Sequence, residues 1–202
     1  MSPRERKTST VHLTRIYTRT GDDGTTALGD MSRAAKSAPR VVAYGEVDEA
    51  NSCIGAALAL GGLDAELTTL LTTVQNDLFD VGADLCTPIA PDPKWEPLRV
   101  DQTYVDRLEA ACDTFNARVS ALDSFVLPGG TPGAALLHIA RTVARRAERA
   151  VWVLIDAEPE ATNLLAATYL NRLSDLLFIL ARVANLATGD VKWEPAASRT
   201  TP

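Results

Sequence analysis

The feature that most constrains this chain is the spacing of its apolar residues, which return every three or four positions over most of its length. This is the period of an α-helix with one face turned to a core. Apolar stripes of this period cover residues 42–58, 67–85, 104–119, 139–154 and 164–184. The only segment that reads as extended is a short one at 11–18. The pattern predicts an all-α protein, a five-helix up-and-down bundle.

Turn-forming residues separate the stripes where helices should end. Gly61 and Gly62 follow the first stripe and Gly189 follows the fifth, and glycine supplies the backbone freedom that a helix end needs. Asp101 precedes the third stripe as a candidate N-cap. Four prolines between 88 and 97 exclude a continuous helix there, so this segment is predicted to be a loop without an assigned role.

Composition narrows the class of protein. The 202 residues are 46% hydrophobic, which suits one large domain with a sizeable core. A net charge of -6 argues against general binding to nucleic acid or to an anionic membrane. Three isolated cysteines predict reduced thiols, and the polar first ten residues resemble neither a signal peptide nor a membrane anchor. We therefore expect a cytoplasmic protein with a flexible segment at 1–15, one domain at 16–193 and a tail at 194–202.

Against this acidic background, cations concentrate on the fourth stripe. His138, Arg141, Arg145 and Arg149 recur at the spacing of one helical face. Converging guanidiniums suit phosphate oxygens, which predicts a site for polyphosphate. A solvated face with Glu148 balancing part of the charge is the alternative that the residues alone leave open. The opposite face is apolar, with Ile139, Val143, Ala147, Ala150 and Leu154.

Two irregular segments flank the predicted helices. Residues 17–26 combine threonines, an arginine and two glycines, the chemistry of a loop whose backbone N–H groups and hydroxyls surround a phosphate. No Gly-Lys-Ser or Gly-Lys-Thr follows, so it is not a Walker A loop, and an ordinary surface turn is the alternative. Residues 124–133 lead into the arginine helix through a glycine and proline turn that holds Phe125 beside the helix start, or that serves as a mere connector.

Taken in order, these segments resemble one known family. The matching motifs are Tyr-Thr-Arg-Thr-Gly-Asp-Asp-Gly-Thr-Thr at 17–26, Arg33 with Lys36, Tyr-Gly-Glu-Val-Asp-Glu-Ala-Asn-Ser at 44–52, Phe-Val-Leu-Pro-Gly-Gly at 125–130, Arg-Arg-Ala-Glu-Arg at 145–149 and Tyr-Leu-Asn-Arg-Leu-Ser-Asp at 169–175. Over residues 16–193 the chain resembles the PduO-type ATP:cob(I)alamin adenosyltransferases. Ordered motifs together are far more specific than any one glycine-rich turn.

The resemblance implies a transferase that moves the 5′-deoxyadenosyl group of ATP to the cobalt of cob(I)alamin, forming adenosylcobalamin and releasing triphosphate. It also implies bound Mg²⁺, a homotrimer with each active site between neighbouring subunits, and functional partners in a cobalamin reductase and an adenosylcobalamin-dependent mutase. By the same resemblance, the ATP-binding residues are Thr18, Arg19, Thr20, Gly21, Asp22, Gly24, Thr25, Thr26, Lys36, Arg145, Glu148, Arg149 and Asn171.

Three residues are implied in catalysis by the resemblance. Arg145 stabilises the leaving triphosphate, and Asp48 pairs with Arg145 of a neighbouring subunit. Phe125 is a hydrophobic wedge under the corrin that keeps the lower axial ligand from the cobalt. Without the family, Asp48 reads as a surface carboxylate and Phe125 as a core aromatic. No residue is assigned as a ligand to the metal ion.

The sequence departs from the common pattern at a few positions, and other classes of protein remain to be weighed. Arg19 stands where lysine is common, and Met31 and residues 37–39 also differ from the usual residues.

A structural or adaptor bundle would need neither the loop nor the arginines. A helical nucleotide pyrophosphohydrolase would carry clustered carboxylates for several Mg²⁺ ions. Two histidines and isolated cysteines argue against a zinc or redox site.

Overall fold

The computed structural model describes Tyr17 and residues 19–199, and this part of the chain contains five helices and one small hairpin. The five-helix prediction is confirmed. The predicted extended segment at 11–18 lies outside the described residues, apart from Tyr17. The helices are α1 (Pro39–Leu60), α2 (Ala65–Cys86), α3 (Gln102–Asn116), α4 (Pro132–Ala157) and α5 (Leu164–Ala184), and a 3₁₀ turn (Pro159–Ala161) joins the last two.

Side-chain caps start four of the helices. Asp101, as predicted, accepts a hydrogen bond from Thr103 N at 2.9 Å. Asp64, Thr131 and Asn163 accept in the same way from the first turns of α2, α4 and α5. At the other end of α1, Gly61 N donates to Ala57 O at 2.8 Å. A side chain at Gly61 would lie 2.9 Å from Gly133 Cα, so glycine lets the end of α1 meet the start of α4.

The helices share one hydrophobic core, in which α1 packs between α2 and α4 while α5 packs between α4 and α3. The apolar side of α5 is fully buried. This helix is also long and apolar enough to cross a membrane, with a mean hydropathy of 1.4 over an 18-residue window. Burial at the centre of the bundle accounts for this composition, so α5 is the core helix of the bundle.

Two buried polar residues connect segments that the apolar pattern leaves unrelated. Arg40 is 1% exposed and donates to Leu85 O at 2.6 Å and to Glu158 at 2.7 Å, which ties the start of α1 to the ends of α2 and α4. Asp84, equally buried, accepts from Arg99 at 2.5 Å and from Asn163 at 2.7 Å. Through Asp84 the proline-rich segment is attached to α2 and to the start of α5.

A third polar cluster joins α2, α3 and α5. The Asp77 carboxylate accepts from Arg107 at 2.9 Å and from the Tyr169 hydroxyl at 3.3 Å. The neighbouring Tyr104 hydroxyl donates to Asp80 at 2.9 Å. Burial, with the carboxylate of Asp80 beside it, raises the pKa of Tyr104 to about 12.

The sequence pattern did not predict the small hairpin before α1. Strand β1 (Thr25–Ala27) pairs antiparallel with β2 (Arg33–Ala35), and Thr25 lies opposite Ala35. Three residues are too few for an alternating pattern to be read. Gly29 N donates to Cys86 O at 2.9 Å, which attaches the turn of the hairpin to the end of α2.

Candidate active site

The threonine and glycine loop forms two tight turns before β1. Gly24 N donates to Gly21 O at 3.2 Å, and Asp22 N approaches Arg19 O at 3.5 Å. Gly24 has φ +81°, a conformation that favours glycine, and Arg19 adopts φ +62° although it carries a side chain. Of the residues predicted here, Thr18 lies outside the described part of the chain.

Arg33, which the sequence analysis placed in a motif without a role, holds this loop in shape. Its guanidinium donates to Thr20 O at 2.7 Å and to Thr25 Oγ1 at 3.0 Å, and lies 3.4 Å from Asp23 Oδ1. Hydrogen bonds from Thr25, followed by the charge of Arg33, lower the pKa of Asp23. The loop therefore holds an internal ion pair, and Arg33 acts as a brace whose charge Asp23 partly balances.

Lys36 lies against the same loop. Its backbone N donates to Gly24 O at 2.9 Å. A Cβ atom built on Gly21 would come within 3.3 Å of Lys36 Nζ, so the ammonium group lies directly over that glycine. Gly21 thus leaves room for the cation, and the structure brings together the predicted Lys36 and the predicted loop.

Next to the loop, a groove runs between α1 and α2. Tyr44, Asp48 and Asn51 line it from α1, and the side chain of Tyr44 lies near Thr26 of the loop. Phe79 lines it from α2 with 69% of its surface exposed. Asp48 is exposed and makes no ion pair with any described residue. The groove therefore presents an unpaired carboxylate beside exposed apolar surface.

The arginines of α4 divide into two groups. Arg146 pairs with Glu46 at 2.5 Å and with Glu49, both on α1. Arg145 and Arg149 are exposed and form no ion pair within the described residues. Arg141 is half-buried beside Arg145, and burial followed by that neighbouring charge lowers the pKa of Arg141. Of the predicted cationic face, the three arginines Arg141, Arg145 and Arg149 are therefore free of ion pairs among the described residues, whereas Arg146, which was not part of that face, is neutralised by α1.

Two of these cations, Arg141 and Arg145, line a cleft between α4 and α5. Its lining consists of Arg141, Arg145, Ser174, Asp175, Phe178 and Ile179. Close to it, Asn171 Nδ2 donates to Glu148 Oε1 at 3.1 Å, which joins two of the predicted nucleotide contacts.

The sequence analysis was wrong about two positions on α4. Ile139, assigned to the apolar face, is 53% exposed, whereas His138, assigned to the cationic face, is 3% exposed. The buried residues Ala140, Ala144, Ala147 and Val151 define the core-facing side, and Ile139 lies beyond its edge, whereas Phe178 of α5 packs near His138. The His138 ring lies 6.0 Å from the Phe178 ring, and burial, then the charge of Arg141, lowers the pKa of His138.

Phe125 is not a core aromatic, because 77% of it is exposed. Its ring lies edge-on to Trp193 with centroids 6.1 Å apart. Both rings line an apolar cleft together with Phe178, which also lines the cleft of Arg141 and Arg145. Phe178 is therefore the wall between a cationic cleft and an aromatic one.

The predicted site residues fall into two groups on one chain. The loop, Lys36 and Asp48 lie by the α1–α2 groove. Arg145, Glu148, Arg149, Asn171 and Phe125 lie along α4, α5 and the segments at their ends. Among the described residues, no group of three or more His, Cys, Asp or Glu side chains could hold a metal ion.

Comparison with known proteins identifies the class. The family model of the cobalamin adenosyltransferases matches residues 16–184. Corrinoid adenosyltransferases from Mycobacterium tuberculosis and Bacillus subtilis are 65% and 44% identical to the chain over 190 and 188 residues. The alignments cover 94% of this chain and 98% of the first relative, and 91% of this chain and 94% of the second.

A solved structure agrees in fold. It is a variant of the PduO-type ATP:corrinoid adenosyltransferase from Lactobacillus reuteri, complexed with cobalamin and ATP. It superimposes with a TM-score of 0.82 at 37% identity, over 90% of this chain and 97% of that chain. The fold and these relatives together identify the protein as a transferase. The chain belongs to the cobalamin adenosyltransferase family.

Proposed function

We propose that this protein transfers the 5′-deoxyadenosyl group of ATP to the cobalt of cob(I)alamin, giving adenosylcobalamin and triphosphate. As a member of its family it is an ATP:corrinoid adenosyltransferase. One observation carries the proposal: Arg145, free of ion pairs among the described residues, lines a cleft that adjoins the aromatic cleft of Phe125 through Phe178. Arg149, equally unpaired among these residues, lies about one turn further along α4. An anionic substrate and a flat apolar one can therefore bind side by side.

In this reaction, the charge that the protein must stabilise develops on the phosphate oxygens. Cob(I)alamin supplies both electrons of the new cobalt–carbon bond. The bond between C5′ and its oxygen breaks, and triphosphate leaves with the electron pair of this broken bond. Arg145 and Arg149 receive the negative charge that develops on the leaving oxygens. Because helix α4 holds the backbone of both arginines in place, only their side chains need to settle as the charge forms.

The loop half of the site binds the same triphosphate. Lys36 reaches a phosphate from above Gly21, and the backbone and hydroxyls of residues 18–26, among them Arg19, Thr20, Asp22, Thr25 and Thr26, surround the chain of phosphates. The brace formed by Arg33 and Asp23 supports this role, because a loop that is already ordered loses less entropy on binding. Glu148 and Asn171, joined to each other, contact the nucleotide from the helical half.

Mg²⁺ fits the donors of this loop. The exposed carboxylate of Asp22 and the threonine hydroxyls are hard oxygen ligands, which Mg²⁺ prefers, and few of them are needed because Mg²⁺ keeps waters and binds phosphates. When bound, the ion neutralises part of the triphosphate charge.

Phe125 serves the cobalt side. Reduction to Co(I) is easier once the lower axial ligand has left the cobalt, and an exposed aromatic ring under the corrin keeps that ligand away. The cleft of Phe125, Trp193 and Phe178 supports this assignment, since its aromatic rings present apolar surface to a corrin.

The working form is a homotrimer with active sites between subunits, in which Asp48 of one subunit pairs with Arg145 of the next. The two groups of site residues lie by different grooves of one chain, so a second copy is needed to bring them together. The unpaired Asp48, the exposed Phe79 and the buried Nε of Arg141, which has no partner among the described residues, support such an interface. The expected cellular setting is the cytoplasm, with a cobalamin reductase supplying the electron and an adenosylcobalamin-dependent mutase taking the product.

The test is anaerobic incubation with ATP, Mg²⁺, cobalamin and a strong reductant, with the corrin absorbance followed and the phosphate product identified. Adenosylcobalamin and triphosphate in equal amounts are expected. Orthophosphate or pyrophosphate would instead indicate a hydrolase. An adaptor bundle would form no product, and its thermal unfolding would not shift with ATP.

A further inference from the structure

The segment that carries Phe125 has no helix or strand of its own. It is held by the residues that follow α5: Leu127 N donates to Val191 O at 2.8 Å and Trp193 N donates to Phe125 O at 2.7 Å. Ser124 Oγ donates to Trp193 O at 2.7 Å. The position of Phe125 therefore depends on where the chain goes after α5 ends.

Asn185, the residue at the C-terminal end of α5, connects both of these segments. It is 2% exposed. Its Oδ1 accepts from Thr131 N at 2.9 Å, and its Nδ2 donates to Gly129 O at 3.0 Å and to Asp190 Oδ1 at 3.2 Å. One amide group thus links the turn that follows Phe125 to the segment that carries Trp193.

Neighbouring residues pack tightly around the side-chain amide of Asn185. Gly130 has φ +105°, and a Cβ atom there would lie 2.2 Å from Asn185 Oδ1. On the other side, Asp190 is held by Arg182, whose Nε lies 2.8 Å from Asp190 Oδ2 and which is itself 6% exposed. The Arg182 guanidinium also donates to Ser120 O at 2.9 Å.

We propose that Asn185 is a positioning residue for the corrinoid, which it serves by fixing Phe125 and Trp193 relative to each other. The inference rests on the proposed function of Phe125. Among side chains of this size, only that of asparagine offers both an acceptor oxygen and an NH₂ group with two donor hydrogens. Alanine would leave Thr131 N and Gly129 O without their buried partner, and aspartate would point a carboxylate at Gly129 O and Asp190.

The experiment compares Asn185→Ala with Asn163→Ala in steady-state assays of the whole enzyme. Asn163 is a matched control, because it lies at the other end of the same helix and makes three comparable hydrogen bonds, to Asp84, Val100 and Leu165. For Asn185→Ala we expect kcat/KM for the corrinoid to fall about ten- to a hundredfold, as for misplacement of a substrate-positioning group, while KM for ATP stays within about twofold. Asn163→Ala is expected to lower the unfolding midpoint without this split.

A spectroscopic measurement separates positioning from general loosening. The EPR spectrum of bound cob(II)alamin loses the nitrogen splitting when the axial base leaves, and we expect Asn185→Ala to restore that splitting at saturating ATP. If the variant folds poorly, Gly130→Ala perturbs the same amide from its other side, and Gly129→Ala is its control because nothing lies within 4 Å of a Cβ atom there.

Phe125→Ala, measured in parallel, separates the role of Asn185 from the role of Phe125. If Phe125→Ala changes the corrinoid kinetics and Asn185→Ala and Gly130→Ala do not, the positioning role is wrong and the proposed function stands. If Phe125→Ala also leaves the corrinoid kinetics and the EPR spectrum unchanged, the role given to Phe125 fails, and the inference about Asn185 fails with it.

Discussion

The side-chain nitrogen of Asn171 on α5 donates a hydrogen bond to Oε1 of Glu148 on α4, with 3.1 Å between the two atoms. Glu148 lies between Arg145 and Arg149 in sequence, yet its carboxylate turns to the neighbouring helix and forms no ion pair with either arginine. The positive charge of both arginines therefore remains available for a ligand. A carboxylate that paired with them would have weakened the site.

Arg145→Lys should lower kcat/KM for ATP about a hundredfold, comparable to the loss of one donor that stabilises a developing oxyanion. Lysine keeps the charge but not the planar pair of donors that matches phosphate oxygens. Steady-state kinetics at varied ATP and saturating corrinoid measure the change. Arg118→Lys, at an exposed ion pair with Glu66, is the control and should be silent. Equal kinetics for the two variants would remove Arg145 from the site.

Asp48→Asn should reduce turnover and weaken the trimer, because the substitution removes the charge that the neighbouring subunit's arginine is proposed to meet. Sedimentation analysis gives the oligomeric state, and the same samples give turnover and ATP affinity. Asp113→Asn changes the net charge equally on an exposed face of α3. Should Asp48→Asn leave assembly, affinity and turnover all normal, the pairing has no functional role.

Arg40→Met should lower the free energy of unfolding by about 2–3 kcal/mol, because it leaves two backbone carbonyls without their buried partner, while the half-buried Glu158 carboxylate keeps contact with water. Denaturant titration followed by circular dichroism measures the loss at fixed protein concentration. Arg118→Met removes an exposed ion pair and should cost clearly less. A loss no larger than that of Arg118→Met would show that the Arg40 contacts do not hold the helix ends together.

Stability should decline as the pH rises from 10 towards 12. The folded protein holds the Tyr104 proton up to a pKa of about 12, whereas the unfolded chain releases it near the ordinary tyrosine pKa of 10.0. The unfolded state therefore binds fewer protons in this window, and stability falls as pH increases. Tyr169, whose pKa burial also raises, acts in the same direction. Unfolding midpoints of Tyr104→Phe should fall less steeply with pH than those of the parent, and parallel slopes would contradict the assignment.

Much of the fold was predictable because the period of an α-helix is visible in the local spacing of apolar residues. The stripe at 67–85 lies within α2, and the cap at Asp101 is where the sequence put it. The hairpin was missed because three-residue strands carry no period. Ile139 was predicted to face the core and His138 to face a ligand, and both predictions were wrong. The periodicity of one helix does not show how far neighbouring helices cover its sides.

For the site, the sequence identified the residue types and their order, and the resemblance supplied their roles. The pairing of Glu148 with Asn171, the brace of Arg33 and the connection made by Asn185 were not readable, because each joins residues through space. The sequence by itself determined five helices and a concentration of cations on one of them, since helical period and charge are local properties. Only the tertiary structure decided which arginine is neutralised and which is free, because that depends on which carboxylates the packing of α1 and α5 brings within reach of α4.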